Sequence, residues 1–169
     1  MSQLTDEQKA YARETGKRRY TGNRRANVVD RLIADLDEDQ KIMNDIYGAM
    51  AEIYVSNLLD LPWTGEPHTP DNAADVGNNI EVKTSKYQSA HLIVRPRYHR
   101  ADSLDYIKKH TYVLVTYVPS TEVFTFAGWL DGEDTMKDEY WRKNSWWVPQ
   151  TELNISIETL KISAELRQM

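Results

Sequence analysis

The amino-acid sequence predicts an α/β protein in which helices come first and a mixed β-sheet flanked by helices follows. Three observations support this class. Apolar side chains recur at helical spacing in the first third of the chain, most clearly over residues 39–60. A short hairpin pattern follows at residues 75–83, and apolar runs at residues 112–118 and 122–130 are typical of strands. This order favours one mixed sheet of four or five strands.

Composition indicates a globular protein. The chain has 169 residues, of which 40% are apolar, and this is enough for one domain with a hydrophobic core. We expect a single domain with an N-terminal helical, basic segment (1–38), a core that carries the site (39–130) and a closing segment with a C-terminal helix (131–169). The absence of cysteine excludes disulfides and thiolate metal sites. Without a signal-peptide pattern or an apolar run of ~20 residues, the sequence predicts a cytoplasmic protein.

The first predicted helix covers residues 4–20. Thr5 and Gln8 match a capping box at its start. Gly16 and then residues 21–23, Thr-Gly-Asn, are expected to weaken or end it. A basic run without an intervening acid lies at this helix end and in the loop after it, namely Lys17, Arg18, Arg19, Arg24 and Arg25. These side chains either complement the helix dipole on a solvated face or contact phosphate groups.

Two more helices are predicted, over Ala26–Leu36 and over residues 39–60. The acidic residues at their junction are expected to be N-terminal helix charge rather than a metal site. They are Asp35, Asp37, Glu38 and Asp39. On the longer helix Glu52 shares a stripe with Gly48 and Ser56, where small residues let a neighbouring element approach closely. Glu52 itself is either an ordinary exposed glutamate or part of a site.

Residues 75–83 place charge with a regularity that packing does not require. The turn formers at 77–79, Gly-Asn-Asn, predict a hairpin with a three-residue loop. In that register Asp75 faces Glu81, and the alternation of side chains puts Lys83 on the same face. Two carboxylates only ~5 Å apart at Cβ repel each other. Mg²⁺ or Mn²⁺ compensates such a pair because both ions prefer carboxylate oxygens.

The elements after the hairpin carry less chemistry. His91–Arg97 is predicted to be a strand that Pro96 ends or places at an edge. The run at 112–118 indicates a central strand covered on both faces. Asp131 or Asp134 is expected to cap a short helix through Trp141, before a closing strand or loop and a short terminal helix. Four tryptophans of this region either pack in a core or lid or stack on unpaired bases. They are Trp129, Trp141, Trp146 and Trp147.

The hairpin resembles the signature of the PD-(D/E)xK nuclease superfamily, in which an acidic residue is followed by Glu or Asp, any residue, and Lys. Asp75, Glu81 and Lys83 fit it. The resemblance implies a restriction-endonuclease-like α/β/α core and a Mg²⁺-dependent deoxyribonuclease. It further implies that Asp75 and Glu81 hold the metal, that Lys83 orients or activates water, and that Glu52 reaches the metal directly or through water. The Pro-Asp dipeptide that names the superfamily occurs in this chain as Pro70-Asp71. Asp71 is therefore an alternative to Asp75 as the first metal ligand.

Charge along the chain favours a nucleic-acid partner, although the net charge is −5. Residues 1–31 carry eight Lys or Arg against four acids, and residues 86–110 carry six against two. A polyanion can dock on such segments while acidic surface elsewhere stays in solvent. In the second segment Lys86, Arg95 and Arg97 are the candidate phosphate contacts, with plain surface charge as the alternative. The resemblance implies DNA as the substrate and a homodimer, as in many members.

The small size and the absence of helicase or methyltransferase segments favour a stand-alone endonuclease of phage or mobile-element type, acting in the host cytoplasm. A second interpretation is a nucleic-acid-binding protein that keeps the fold without catalysis. A third is the same chemistry on RNA or on branched DNA junctions. The sequence does not distinguish these substrates.

Overall fold

The computed structural model describes residues 3–25, 37–63, 65, 74–96 and 103–168. The helices are α1 (Asp6–Arg25), α2 (Glu38–Leu59), α3 (Ser103–Lys109), α4 (Gly132–Thr135) and α5 (Ile157–Gln168). The strands are β1 (Ile80–Ser85), β2 (Leu92–Val94), β3 (Thr111–Val118), β4 (Val123–Asp131), β5 (Trp141–Arg142) and β6 (Ser145–Val148). This mixture confirms the α/β class. The helix predicted over Ala26–Leu36 lies outside the described ranges.

Helix α1 begins as predicted and is longer than predicted. The backbone N–H of Thr5 donates to Gln8 Oε1 at 3.0 Å, and the N–H of Gln8 donates to Thr5 Oγ1 at 3.1 Å, which confirms the capping box. Instead of ending near residue 20, α1 continues to Arg25. Gly16 serves packing, because a Cβ there would lie 2.6 Å from the Cα of Ile46 in α2. Close contact between the two helices therefore outweighs the low helix propensity of glycine.

Helix α2 begins with a second capping box. Asp37 Oδ1 accepts a hydrogen bond from the N–H of Gln40 at 2.8 Å, and Gln40 Oε1 accepts one from the N–H of Asp37 at 3.2 Å. The acidic junction is therefore N-terminal helix charge as far as the structure describes it; Asp35 lies outside. The expected close approach at the small-residue stripe was wrong: a Cβ on Gly48 would meet no atom within 4 Å. The close approach occurs at Gly16 instead.

Strand β3 is the centre of a three-stranded sheet in the order β1-β3-β4. It pairs in parallel with β1 and antiparallel with β4. Every residue of β3 except Val118 is buried, as predicted for a strand covered on both faces. Alternation divides its side chains between two cores. Val113 and Val115 pack with α1 and α2, whereas Tyr112 and Leu114 pack with α3 and the second sheet.

The second sheet has the order β2-β6-β5 and is antiparallel. The prediction of one sheet with four or five strands was wrong, since the described strands form two sheets of three. Strand β2 has only three residues and pairs with β6, opposite Trp146 to Val148, rather than with β1. Its buried Leu92 and Val94 join Val148 in the core that covers the second face of the β1-β3-β4 sheet. Burial of these apolar residues therefore holds β2 in the second layer.

The segment after β4 also differs from the prediction of a helix through Trp141. Helix α4 has only four residues, and a 3₁₀ turn over Asp138–Tyr140 leads directly into β5. The Asp131 carboxylate does not cap α4; it accepts a hydrogen bond from Thr111 Oγ1 at 2.7 Å and pairs with Arg167 at 2.9 Å. Trp129 and Trp146 are core residues, whereas Trp141 is 42% exposed. The packing interpretation thus holds for Trp129 and Trp146.

Candidate active site

The predicted hairpin and its register are present. Val76 and Ile80 exchange two backbone hydrogen bonds of 3.1 and 3.2 Å around the loop at 77–79. Gly77 has φ +58°, a conformation that glycine adopts without a steric penalty. This pairing places Asp75 opposite Glu81, as the loop length predicted. Val76, Ile80 and Val82 are buried in the core with α2, which confirms the apolar face of the hairpin.

The end of α5 supports the hairpin loop, a role that the sequence did not reveal. Gln168 Oε1 accepts a hydrogen bond from the N–H of Asn78 at 3.0 Å, and Gln168 Nε2 donates to Asn79 Oδ1 at 3.1 Å. Asn79 is buried, and its Nδ2 donates to Thr111 Oγ1 at 3.4 Å. These contacts join the loop to β3 and α5, and so help to fix the position of the carboxylate pair.

Asp75 and Glu81 place two negative charges close together. Burial, and next the neighbouring Glu81 carboxylate, raise the pKa of Asp75 to about 7. Lys83 opposes this shift, as does the backbone N–H of Val82, which donates to Asp75 Oδ2 at 2.8 Å. The pKa stays high in spite of both. Burial and the Glu81 carboxylate therefore disfavour the charged form of Asp75 more than Lys83 and the Val82 N–H favour it.

Glu81 and Lys83 lie on the face of β1 that turns away from α2. Glu81 is only 4% exposed and accepts a hydrogen bond from the hydroxyl of Tyr106 in α3. The Tyr106 ring stacks on His110, with ring centroids 3.8 Å apart. Lys83 Nζ lies 5.8 Å from the centroid of the Tyr112 ring. Tyr106 was missed from the sequence because nothing in a short helix 25 residues downstream points to Glu81.

Glu52 is buried within an ion pair. Arg19 donates from Nη1 and Nη2 to its two carboxylate oxygens at 2.9 and 2.7 Å, and Trp63 Nε1 donates to Oε2 at 2.8 Å. Burial and then the nearby Asp75 raise the pKa of Glu52, against the effect of Arg19. Burial lowers the pKa of Arg19, but the Glu52 hydrogen bond and the charges of Glu52, Asp75 and Asp45 together raise it above its ordinary value. The forked hydrogen bonds favour the ionised pair.

The donor set of the hairpin suits a hard divalent cation. Mg²⁺ is commonly bound by one or two carboxylates together with water and substrate phosphate oxygens. Asp75 and Glu81 supply two facing carboxylates whose repulsion a cation would relieve. Within the described ranges, no group of three or more Asp, Glu and His side chains is placed to hold a metal ion. The structure thus gives no support to Glu52 as a direct third ligand.

The predicted basic residues have different surroundings in the structure. Arg19 belongs to the ion pair with Glu52. Lys17, Arg18 and Lys86 are exposed, and Arg95 is half-buried with its Nε donating to Ser145 Oγ at 3.1 Å. The side chains of Arg24 and Arg25, all of Arg97, and the alternative ligand Asp71 lie outside the part that the structure describes.

A cavity of about 350 Å³ is lined by Glu81, whereas Asp75 is not part of its lining. Glu81 and Lys83 of β1, Tyr112 and Leu114 of β3, Arg95 of β2 and Tyr106 of α3 contribute to its lining. We call it the hairpin cavity. A molecule held in it would contact Glu81, Lys83 and Arg95, three of the side chains that the sequence singled out.

Comparison with known protein families, curated proteins and solved structures gave no match for this chain. None of the described helices is both long and apolar enough to cross a membrane.

Proposed function

We propose that the protein is a Mg²⁺-dependent deoxyribonuclease that hydrolyses phosphodiester bonds, most simply as an endonuclease. The observation that carries this proposal is the facing pair Asp75 and Glu81, with Lys83 two residues further along the same strand face. Packing alone gives no reason to place two carboxylates opposite each other, since like charges across a strand pair destabilise it. Glu81 and Lys83 also line the hairpin cavity, where a substrate could contact them.

In this mechanism Asp75 and Glu81 would hold the cation, and Mn²⁺ could replace Mg²⁺. When bound, the cation supplies Lewis acidity toward a phosphoryl oxygen and lowers the pKa of water. The hydroxyl of Tyr106 fixes the orientation of Glu81. The Lys83 ammonium orients the attacking water and stabilises negative charge that builds on the phosphoryl oxygens. Glu52 acts from a distance, because its ion pair holds Arg19 near Asp75.

The exposed cations would bind the DNA backbone. Lys17 and Arg18 on α1 and Lys86 after β1 are available to phosphates, and Arg95 reaches the hairpin cavity. Contacts of this kind position a nucleic acid without reading its sequence. They also make binding dependent on salt, because counterions are released from the DNA. We propose the same role for Arg24, Arg25 and Arg97 from their place in the basic runs of the sequence.

The test is cleavage of supercoiled plasmid, linear duplex, single strand and a four-way junction, each with Mg²⁺, with Mn²⁺ or with EDTA. Wild type is compared with Lys83→Ala and Glu81→Ala, and with Lys108→Ala as a matched exposed lysine. We expect metal-dependent cutting that both site variants lose and Lys108→Ala keeps. If no substrate is cut while DNA still binds in a salt-dependent way, the protein is a binding protein that lacks catalysis. A single-stranded RNA is added to this set, and cutting of RNA but of no DNA substrate would change the proposed substrate from DNA to RNA.

A further inference from the structure

We propose that the hairpin cavity binds one unpaired nucleotide of the substrate strand, so that the protein acts on single-stranded or locally unpaired DNA. The preference in cleavage rests on the proposed nuclease function, whereas nucleotide binding does not. The volume of about 350 Å³ lies at the small end of the range for ligand pockets, roughly 300 to 1,000 Å³. It suits a single nucleotide rather than a stacked run of bases.

The lining of the cavity offers separate surfaces to the two parts of a nucleotide. Tyr112, Leu114 and Ile93 provide aromatic and aliphatic surface. Such surface receives a base irrespective of its identity, because every base has a π-face. Lys83 and Arg95 provide cations. The lining is therefore apolar where a base would lie and cationic where a phosphate would lie.

The charge of the lining is opposite to that of the whole chain. Among its carboxylates, lysines and arginines the cavity has Lys83 and Arg95 against Glu81, whereas the chain carries a net charge of −5. Arg95 is also held in place, because its Nε donates to Ser145 Oγ at 3.1 Å and Ser145 is fully buried. That bond uses Nε, and the guanidinium has four further N–H groups on its two terminal nitrogens. A fixed guanidinium of this kind favours a phosphate oxygen over a neutral ligand.

The position of the cavity links the nucleotide to the reaction. Glu81 and Lys83 belong both to its wall and to the proposed catalytic group. A nucleotide in the cavity would therefore place its own phosphate next to these side chains. A base that is stacked inside a duplex is covered on both faces and cannot enter a concave pocket without leaving the stack. The expected substrate is thus a single strand, a frayed end or an unpaired base.

The binding test uses thymidine 5′-monophosphate and thymidine as probes, in EDTA, with the dissociation constant measured by calorimetry. Ala90 lines the cavity and the adjacent Ser89 is exposed outside it. We expect Ala90→Trp to weaken nucleotide binding by about tenfold or more, and Ser89→Trp to change it by less than about twofold. Equal affinities for the two variants, or no binding to wild type, would overturn the proposal.

A second pair of variants tests the proposal even if Ala90→Trp does not fold. Arg95→Gln is expected to weaken thymidine 5′-monophosphate by about tenfold and to leave thymidine within about twofold, because only the phosphate contact is lost. The exposed Arg142→Gln is the control and should alter neither. An equal loss of affinity for both probes, or no loss of affinity for either, would contradict the assignment of Arg95 to phosphate.

Cleavage separates this proposal from the proposed function. Wild type is expected to cut a single strand at least about tenfold faster than a duplex of the same sequence, and Ala90→Trp should abolish that preference. Cleavage at equal rates on both substrates would refute the unpaired-nucleotide proposal and leave the nuclease intact. Nucleotide binding that depends on Ala90 and Arg95 without any cleavage would support the cavity and refute the nuclease.

Discussion

The two buried glutamates, Glu52 on α2 and Glu81 on β1, both lie near Asp75 but otherwise have very different surroundings. Glu52 is 6% exposed and accepts three hydrogen bonds from Arg19 and Trp63, so its carboxylate is compensated within the fold. Glu81 is 4% exposed, faces Asp75 and borders the hairpin cavity. Burial alone therefore does not distinguish Glu81, the proposed metal ligand, from Glu52. The Arg19 cation paired with Glu52 and the open cavity beside Glu81 distinguish the two.

The largest expected effect on stability comes from breaking the ion pair between Arg19 and Glu52. Arg19→Met leaves the Glu52 carboxylate buried without its cation, which should lower the free energy of unfolding by about 3 to 5 kcal/mol. Urea unfolding measures this loss, with the exposed Arg18→Met as a control that changes little. Adding Glu52→Gln should recover much of the loss, because an amide costs less to bury than a charge. A small effect of Arg19→Met would show that the ion pair does not stabilise the fold.

Replacing each of the two glutamates by glutamine is expected to separate an effect on cleavage from an effect on stability. Glu81→Gln should lower the rate of DNA cleavage by about 10² to 10³-fold with little change in stability, because Gln still accepts the Tyr106 hydrogen bond. Glu52→Gln should lower the rate by less than about tenfold and lower stability by about 1 to 3 kcal/mol. Cleavage assays and urea unfolding on both variants check the split. Equal losses of activity would place Glu52 in the reaction itself.

A third prediction tests how α1 is brought close enough for Arg19 to reach Glu52. Gly16→Ala would place a Cβ 2.6 Å from the backbone of Ile46, so the helices must separate at a cost of about 1 to 3 kcal/mol. Gly48→Ala has open space and should stabilise the protein by about 0.5 to 1 kcal/mol, since alanine favours a helix. Thermal unfolding distinguishes the two. Similar shifts for both variants would contradict the close contact at Gly16.

The smallest expected effect concerns Asp75 in metal-free protein. Because its pKa rises from the ordinary 3.8 to about 7, folded Asp75 keeps a proton that the unfolded chain has lost between these values. The free energy of unfolding should therefore fall as pH rises from about 4 to about 7. Asp75→Asn should remove this fall and stabilise the protein at pH 8 by about 1 to 2 kcal/mol in EDTA, with Glu14→Gln as an exposed control.

Adding Mg²⁺ provides a second test of Asp75→Asn, in which wild type rather than the variant is expected to gain stability. Wild type should gain thermal stability when Mg²⁺ is added, because only the folded pair Asp75 and Glu81 binds the ion. Asp75→Asn should gain much less. A variant that is no more stable than wild type in EDTA, or that responds equally to Mg²⁺, would contradict a shared cation site.

The sequence anticipated the hairpin well because its chemistry is local. A three-residue loop with a glycine at φ +58° fixes which residues face each other, and alternation then places Lys83. The capping box at Thr5, the acidic start of α2 and the buried central strand were predictable for the same reason. The prediction failed where glycine spacing was used without knowledge of neighbours, as at Gly16 and Gly48. It also failed for the pairing of short strands, because β2 belongs to a second sheet and not to the single sheet that was predicted.

The sequence by itself thus determined the α/β class, the register of the hairpin and which two carboxylates face each other. Only the tertiary structure decided that Arg19 and Trp63 compensate Glu52, that Tyr106 bonds Glu81, and that a cavity lies beside Lys83. The physical reason is the range of the interactions. Turn geometry and alternation act over a few residues, whereas the charge and space around a buried carboxylate depend on side chains brought together from distant segments.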